Sequence, residues 1–170
     1  MLTKLNIEKY FTAEKQESLV FLGIGLAAII IGILAFTVWK TPAWKGAAVP
    51  LITIALLQIT VGYTVYNRSD SDRIRVVYQL DMNPNELRTK ELPRMQTVMK
   101  NFVWYRWIEI ALALIGIVLI ALYKNNSNAS FWYGLGVALT IQAVLMLGAD
   151  YFAEQRGKIY TQQLQSFVNK

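Results

Sequence analysis

Three stretches of this chain are too long and too poor in charge to suit a water-soluble fold. Gln16 to Trp39 carries only Glu17, and neither Gly46 to Asn67 nor Asn125 to Ala149 carries any charge. An α-helix rises about 1.5 Å per residue, so roughly 20 apolar residues cross a hydrocarbon core about 30 Å thick. A fourth stretch, Phe102 to Tyr123, is long enough if Glu109 lies inside it. The expected fold is therefore an all-α membrane protein, a four-transmembrane-helix bundle made of two hairpins with helical cytoplasmic extensions. The first run is longer than the apolar core of a signal peptide, and no A-x-A site follows it, so it is read as a retained helix.

Charge sets the orientation. Of the 17 basic residues, only Lys40, Lys45 and Lys124 fall in the two hairpin loops. The others sit in the leader, the centre and the tail, or just inside the third run at Arg106. The positive-inside rule places those three segments, and both termini, in the cytoplasm of a bacterial inner membrane. The expected divisions are a cytoplasmic leader (1–17), a transmembrane hairpin (18–66), a cytoplasmic helical connector (67–101), a second hairpin (102–152) and a cytoplasmic helical tail (153–170). Trp39, Trp44, Tyr123, Trp132 and Tyr133 mark the outer boundary. Tyr63, Tyr66, Trp104, Tyr105, Trp107, Tyr151 and Phe152 mark the inner one, where amphipathic rings favour the headgroup level.

The hairpins carry a faint internal repeat. An offset of 84 residues aligns Ile31-Gly32-Ile33 with Ile115-Gly116-Ile117, Lys40 with Lys124, Leu51 with Leu135 and Gln58 with Gln142. Two hairpins of equal orientation make a parallel repeat about an axis normal to the membrane. In the connector, Asn83-Pro84-Asn85-Glu86 has the form of a helix start, with Asn83 as cap and Glu86 closing a capping box. The apolar stripe Leu92, Met95, Val98, Met99 and Phe102 runs on into the third span, with a kink expected at Pro93. Phe152, Ile159, Tyr160, Leu164 and Phe167 give the tail a similar stripe.

The absence of cysteine and histidine removes disulfides, thiolate and imidazole metal sites, His-ligated haem and Ser-His-Asp or Cys-His catalysis from what this chain can build by itself. No glycine-rich phosphate loop is present either; Gly134-x-Gly136 lies in an apolar span. No cofactor or metal is expected, nor is enzymatic activity. A net charge of +6 serves topology and anionic headgroups in such a chain, and nucleic acid is not an expected partner. The sequons at Asn125 and Asn128 lie too near the membrane to be expected to carry glycan.

The candidate site residues are the polar groups inside the spans. Glu109 is costly in lipid unless paired, and Arg106, three residues earlier on the same face, is the expected partner. Asp150 and Glu17 fit boundary acids. Gln58 and Gln142 are expected as interhelical glue, with Thr53, Thr60 and Thr140 extending a polar line. Ala28-x-x-x-Gly32 and Gly134-x-x-x-Ala138 favour close helix packing, and Pro50 falls in a tolerated first turn. The expected function is a non-enzymatic interaction protein that holds a protein partner in the manner of a regulator, assembly factor or toxin-immunity protein. The alternative is a small oligomeric transporter or channel routed along Glu109, Gln58, Gln142 and Asp150.

Overall fold

The computed structural model describes residues 2–169; Lys170, counted above among the tail cations, lies outside them. Four long helices carry nearly all of the chain: α1 (Lys4–Trp39), α2 (Pro42–Met82), α3 (Pro84–Tyr123) and α4 (Ser127–Val168). Each is long and apolar enough to cross a membrane. They contain 36, 41, 40 and 42 residues, roughly twice what a bilayer requires, so each crossing helix continues well beyond its apolar region. No helix ends at residues 17, 67, 101 or 153. The leader is itself the first turns of α1, which the sequence pattern had not marked as helical.

Caps and turns account for the boundaries. The Thr3 hydroxyl accepts from the Asn6 N–H at 3.2 Å, starting α1. At the first hairpin, Lys40 turns left-handed at φ 52°, Thr41 caps α2 through the Trp44 N–H at 3.3 Å, and Pro42 opens the helix where no N–H is needed. Pro84 opens α3 as expected, but the capping box does not form. Asn83 makes no side-chain cap, and the Glu86 carboxylate instead accepts from Gln79 at 2.9 Å and from Lys90 at 2.8 Å. Those longer-range partners outcompete the local bond. The chain meets Pro93 through a wide turn over Leu87–Glu91, closed by the Leu92 N–H on the Leu87 carbonyl. A π turn places the missing proline N–H at a register break, so Pro93 sits within the first turn after the break and not in the interior of a regular helix.

Each hairpin packs along its own length, and the hairpins meet through α2 and α4. The buried residues differ between the two ends. In the half near the termini, Ile7, Phe11, Val76, Leu87, Met95, Tyr160 and Leu164 form a core of large side chains. In the half bearing the apolar runs, the interfaces are small: Gly25, Ala28, Gly32, Ala48, Ala55, Gly62, Gly116, Gly136 and Ala143 are buried, while Leu57, Val61, Leu114, Leu122 and Leu145 point outward. Lipid tails are as apolar as leucine, so only close backbone approach holds helices together there. A Cβ on Gly46 would strike the Phe131 carbonyl, and one on Gly134 the Ala43 carbonyl, so α2 and α4 nearly touch at that end. Gly32 and Gly116, aligned by the 84-residue offset, each press on the partner helix of their own hairpin, at Ile52 and at Gly136 and Thr140.

Candidate functional site

The polar residues of the spans do not join into one line. Gln58 and Gln142 are both buried, but the Gln58 Oε1 and both amide atoms of Gln142 have no hydrogen-bond partner. The expected amide glue is therefore not formed. Thr53, Thr60 and Thr140 give their hydroxyls to the carbonyls of Val49, Leu56 and Gly136 on their own helices, each at 2.8 Å. A threonine in a helix satisfies itself this way when no stronger acceptor is near.

Glu109 is only 2% exposed, and neither carboxylate oxygen has a hydrogen-bond partner. The expected pair with Arg106 is not made: Arg106 reaches across to Glu154 of α4. Both charges of that interhelical pair lie one turn closer to the watery end, where desolvation costs less. One turn deeper on each helix, the same antiparallel register sets Glu109 and Asp150 near each other without a hydrogen bond between them. Two carboxylates this near repel unless a proton or a cation joins them, and among the described residues neither makes an ion pair.

Below the acid pair, four ion pairs tie the helices together. Arg106 joins Glu154, Arg156 of α4 joins Glu17 of α1, Arg68 of α2 joins Glu14 of α1 at 3.1 Å, and Lys15 of α1 joins Asp70 of α2. Glu17 is thus a clamp between α1 and α4, a role that spacing along the chain cannot reveal because its partner lies 139 residues away. Burial pushes the Glu14 carboxyl above the ordinary range, although Arg68 opposes the shift. The exposed Asp70 is held low by its hydrogen bond from Lys15.

Further from the spans lies a buried polar network that sequence reasoning missed. Glu91 is 1% exposed. Its carboxylate accepts from Arg94 Nε at 2.9 Å and Nη2 at 2.6 Å, from the Tyr160 hydroxyl at 3.1 Å, and faces Arg75 at 3.6 Å. Tyr160 stacks on Tyr10 with ring centroids 4.3 Å apart, and the Tyr10 hydroxyl points at the Met95 sulfur at 3.7 Å. Burial, reinforced by the surrounding acids, drives both phenols far above their ordinary pKa. Burial also works against the Arg94 cation, but the Glu91 hydrogen bonds outweigh it and hold its pKa up. Glu91's acceptors are occupied and both tyrosines stay neutral, so the network locks α1, α3 and α4 together and offers no free base. The one advance signal was the Glu91-x-x-Arg94 spacing on a helical face.

Two further surfaces stand outside these networks. Ile74, Tyr78 and Met82 lie one turn apart on α2 and are 65%, 61% and 71% exposed, while Val76 and Gln79 of the same helix are buried. Between α3 and α4, near Lys100 and Lys158, runs an open groove of about 550 Å³. Comparison of the chain with protein-family models, curated proteins and solved structures finds no match.

Proposed function

We propose that this chain is a non-enzymatic multi-pass protein of the bacterial inner membrane, both termini cytoplasmic, whose cytoplasmic bundle holds a protein partner. The observation that carries this reading is the row Ile74, Tyr78 and Met82. These residues are large, apolar, in line and turned away from a core already closed by Val76, Leu87 and Tyr160. A row of apolar side chains left in water costs about 25 cal/mol per Å² relative to burial, and contiguous patches of this kind mark interaction surfaces. The ion-pair belt and the Glu91 network support the same reading, because a bundle braced at two levels presents α2 as a rigid surface. Regulator, assembly factor and toxin-immunity protein are the roles that fit.

A photo-crosslinking residue at Tyr78 tests this in living cells. A discrete crosslinked protein that disappears when Ile74→Glu is added supports the reading. Absence of any adduct, together with a normal phenotype for Ile74→Glu/Met82→Glu, would sink it.

One observation favours a second reading. Glu109 and Asp150 lie near each other inside the spans with no ion pair to a basic residue among the described residues, and Gln58 and Gln142 add buried amide atoms without hydrogen-bond partners. An oligomeric cation or proton pathway uses such groups. Flux through proteoliposomes that falls in both Glu109→Gln and Asp150→Asn supports it; flux indifferent to both, or no flux at all, removes it.

A further inference from the structure

The basic residues of the bundle fall into two groups. Lys4, Lys15, Arg68, Arg73, Arg75, Lys90, Arg94, Arg106 and Arg156 each face a carboxylate. Lys9, Arg88, Lys100 and Lys158 face none among the described residues, and of these Lys100 and Lys158 stand together. Both line the groove between α3 and α4, with Gln96, Gln162 and Gln165 around them and Met99 alongside. Beside the groove the two helices approach closely at the buried Gly157, where a Cβ would stand 3.2 Å from the Met99 sulfur. The groove's lining thus combines two unneutralised ammonium groups, three amides able to donate hydrogen bonds, and one apolar contact.

The groove's height along the helices identifies what such a lining meets. Trp104, Tyr105 and Trp107 of α3 and Tyr151 and Phe152 of α4 are all more than half exposed and point outward. They form the aromatic girdle that marks a membrane boundary. Lys100 precedes Trp104 by four residues, about 6 Å along the helix axis. A headgroup layer extends roughly 5–7 Å beyond the hydrocarbon core on each side. Lysine stems, which extend toward the interface, bring Lys158 to the same level. The lysine end of the groove therefore opens sideways at the headgroup layer, where the abundant anion is the lipid phosphate, and its glutamine end, Gln96, Gln162 and Gln165, lies further along the helices on the aqueous side.

We propose that this groove is a binding site for the headgroup of an anionic phospholipid in the leaflet on the side of the chain termini. Lys100 and Lys158 pair with its phosphate, and the glutamine amides, on the aqueous side of the lysines, donate to the headgroup oxygens beyond the phosphate. The site goes beyond the partner-binding reading and depends only on the helices crossing a bilayer. A protein partner on the Ile74 row is neither needed nor excluded, since that row lies on α2.

The test is retention of lipid by the intact protein in maltoside micelles, read by native mass spectrometry during titration with phosphatidylglycerol or phosphatidylcholine. Wild type should bind phosphatidylglycerol more tightly. Lys100→Gln/Lys158→Gln should weaken that binding on the order of thirty-fold, the factor expected for removing two lysines from a headgroup surface. Lys9→Gln/Lys124→Gln, which removes two other lysines without ion pairs, should leave it unchanged. Neither pair of substitutions touches a buried contact, and circular dichroism with thermal melting confirms that each variant is folded. Equal binding of the two lipids, an equal loss in both double variants, or displacement of the lipid by millimolar inorganic phosphate would each overturn the proposal. The last outcome would point instead to a site for soluble phosphate.

Discussion

The same four helices are held together in opposite ways at their two ends. Near the termini the interfaces are made of large side chains, among them Tyr160, Phe11, Ile7, Leu87, Met95 and Leu164, and of polar side chains such as Glu91, Arg94 and Gln79 that each find at least one partner. Along the apolar runs they are made mostly of glycine and alanine, with Ile54 and Leu139 among them, and buried polar atoms of Gln58, Gln142 and Glu109 find none. The difference follows from the surroundings. In water, burying a large apolar side chain is worth about 1.5–3 kcal/mol. In lipid that gain vanishes, and the helices cohere through van der Waals contact between closely approaching backbones. One half should therefore fail when atoms are removed and the other when atoms are added.

The largest expected effect lies in the watery half. Arg94→Ala strands the Glu91 carboxylate in the core, where loss of one partner of a buried ion pair costs about 3–5 kcal/mol. Chemical unfolding in micelles followed by circular dichroism measures it; a loss below about 1 kcal/mol would mean that Arg75 and Tyr160 suffice to satisfy Glu91. Leu164→Ala, a pure removal of atoms, is expected to cost about 2–5 kcal/mol by the same measurement.

In the lipid half a single added methyl group should suffice. Gly134→Ala drives a Cβ into the Ala43 backbone, and such overpacking costs about 1–3 kcal/mol. Gly148→Ala adds the same group where nothing lies within 4 Å and should be neutral or gain up to about 1 kcal/mol from helix propensity. If the two alanine variants melt alike, backbone proximity is not what holds this half together.

The smallest effects concern pH, and two acids of the ion-pair belt should respond with opposite sign. Asp70 is held below its ordinary value of 3.8 by Lys15. Its contribution is present above that pH and is lost as pH falls through the lower folded value. Glu14 is raised by burial above 4.5, so its contribution is complete below 4.5 and is lost as pH rises through the folded value. Melting curves across the acid range should accordingly lose one slope in Asp70→Asn and the other in Glu14→Gln. If both substitutions shift the profile in the same direction, the burial of Glu14 is not what sets its proton affinity.

Much of the architecture was legible in advance because membrane crossing is a matter of length and charge, both local properties of the chain. The apolar runs, the helical connector and tail, and the opening of α3 at Pro84 follow from residues within a few turns of one another. The site residues were less legible. Glu109, Gln58 and Gln142 stood out as polar groups in apolar runs, yet their partners could not be inferred. Arg106 turned to Glu154 because an interhelical contact nearer the interface beat the i,i+3 pair. Glu91 and Tyr10 drew no notice at all, since a charged residue and a tyrosine in an apparently watery segment are ordinary until three helices close over them.

By its own order of residues this chain determined four membrane-length helices and the clustering of its cations, because hydrophobic length and charge act segment by segment. Which acid meets which base, which glycine faces a backbone and which lysines keep their charge free were decided only by the packing of α1, α2, α3 and α4. Those pairings join residues up to 139 positions apart, and their energies depend on distance and burial that exist only once the bundle has closed.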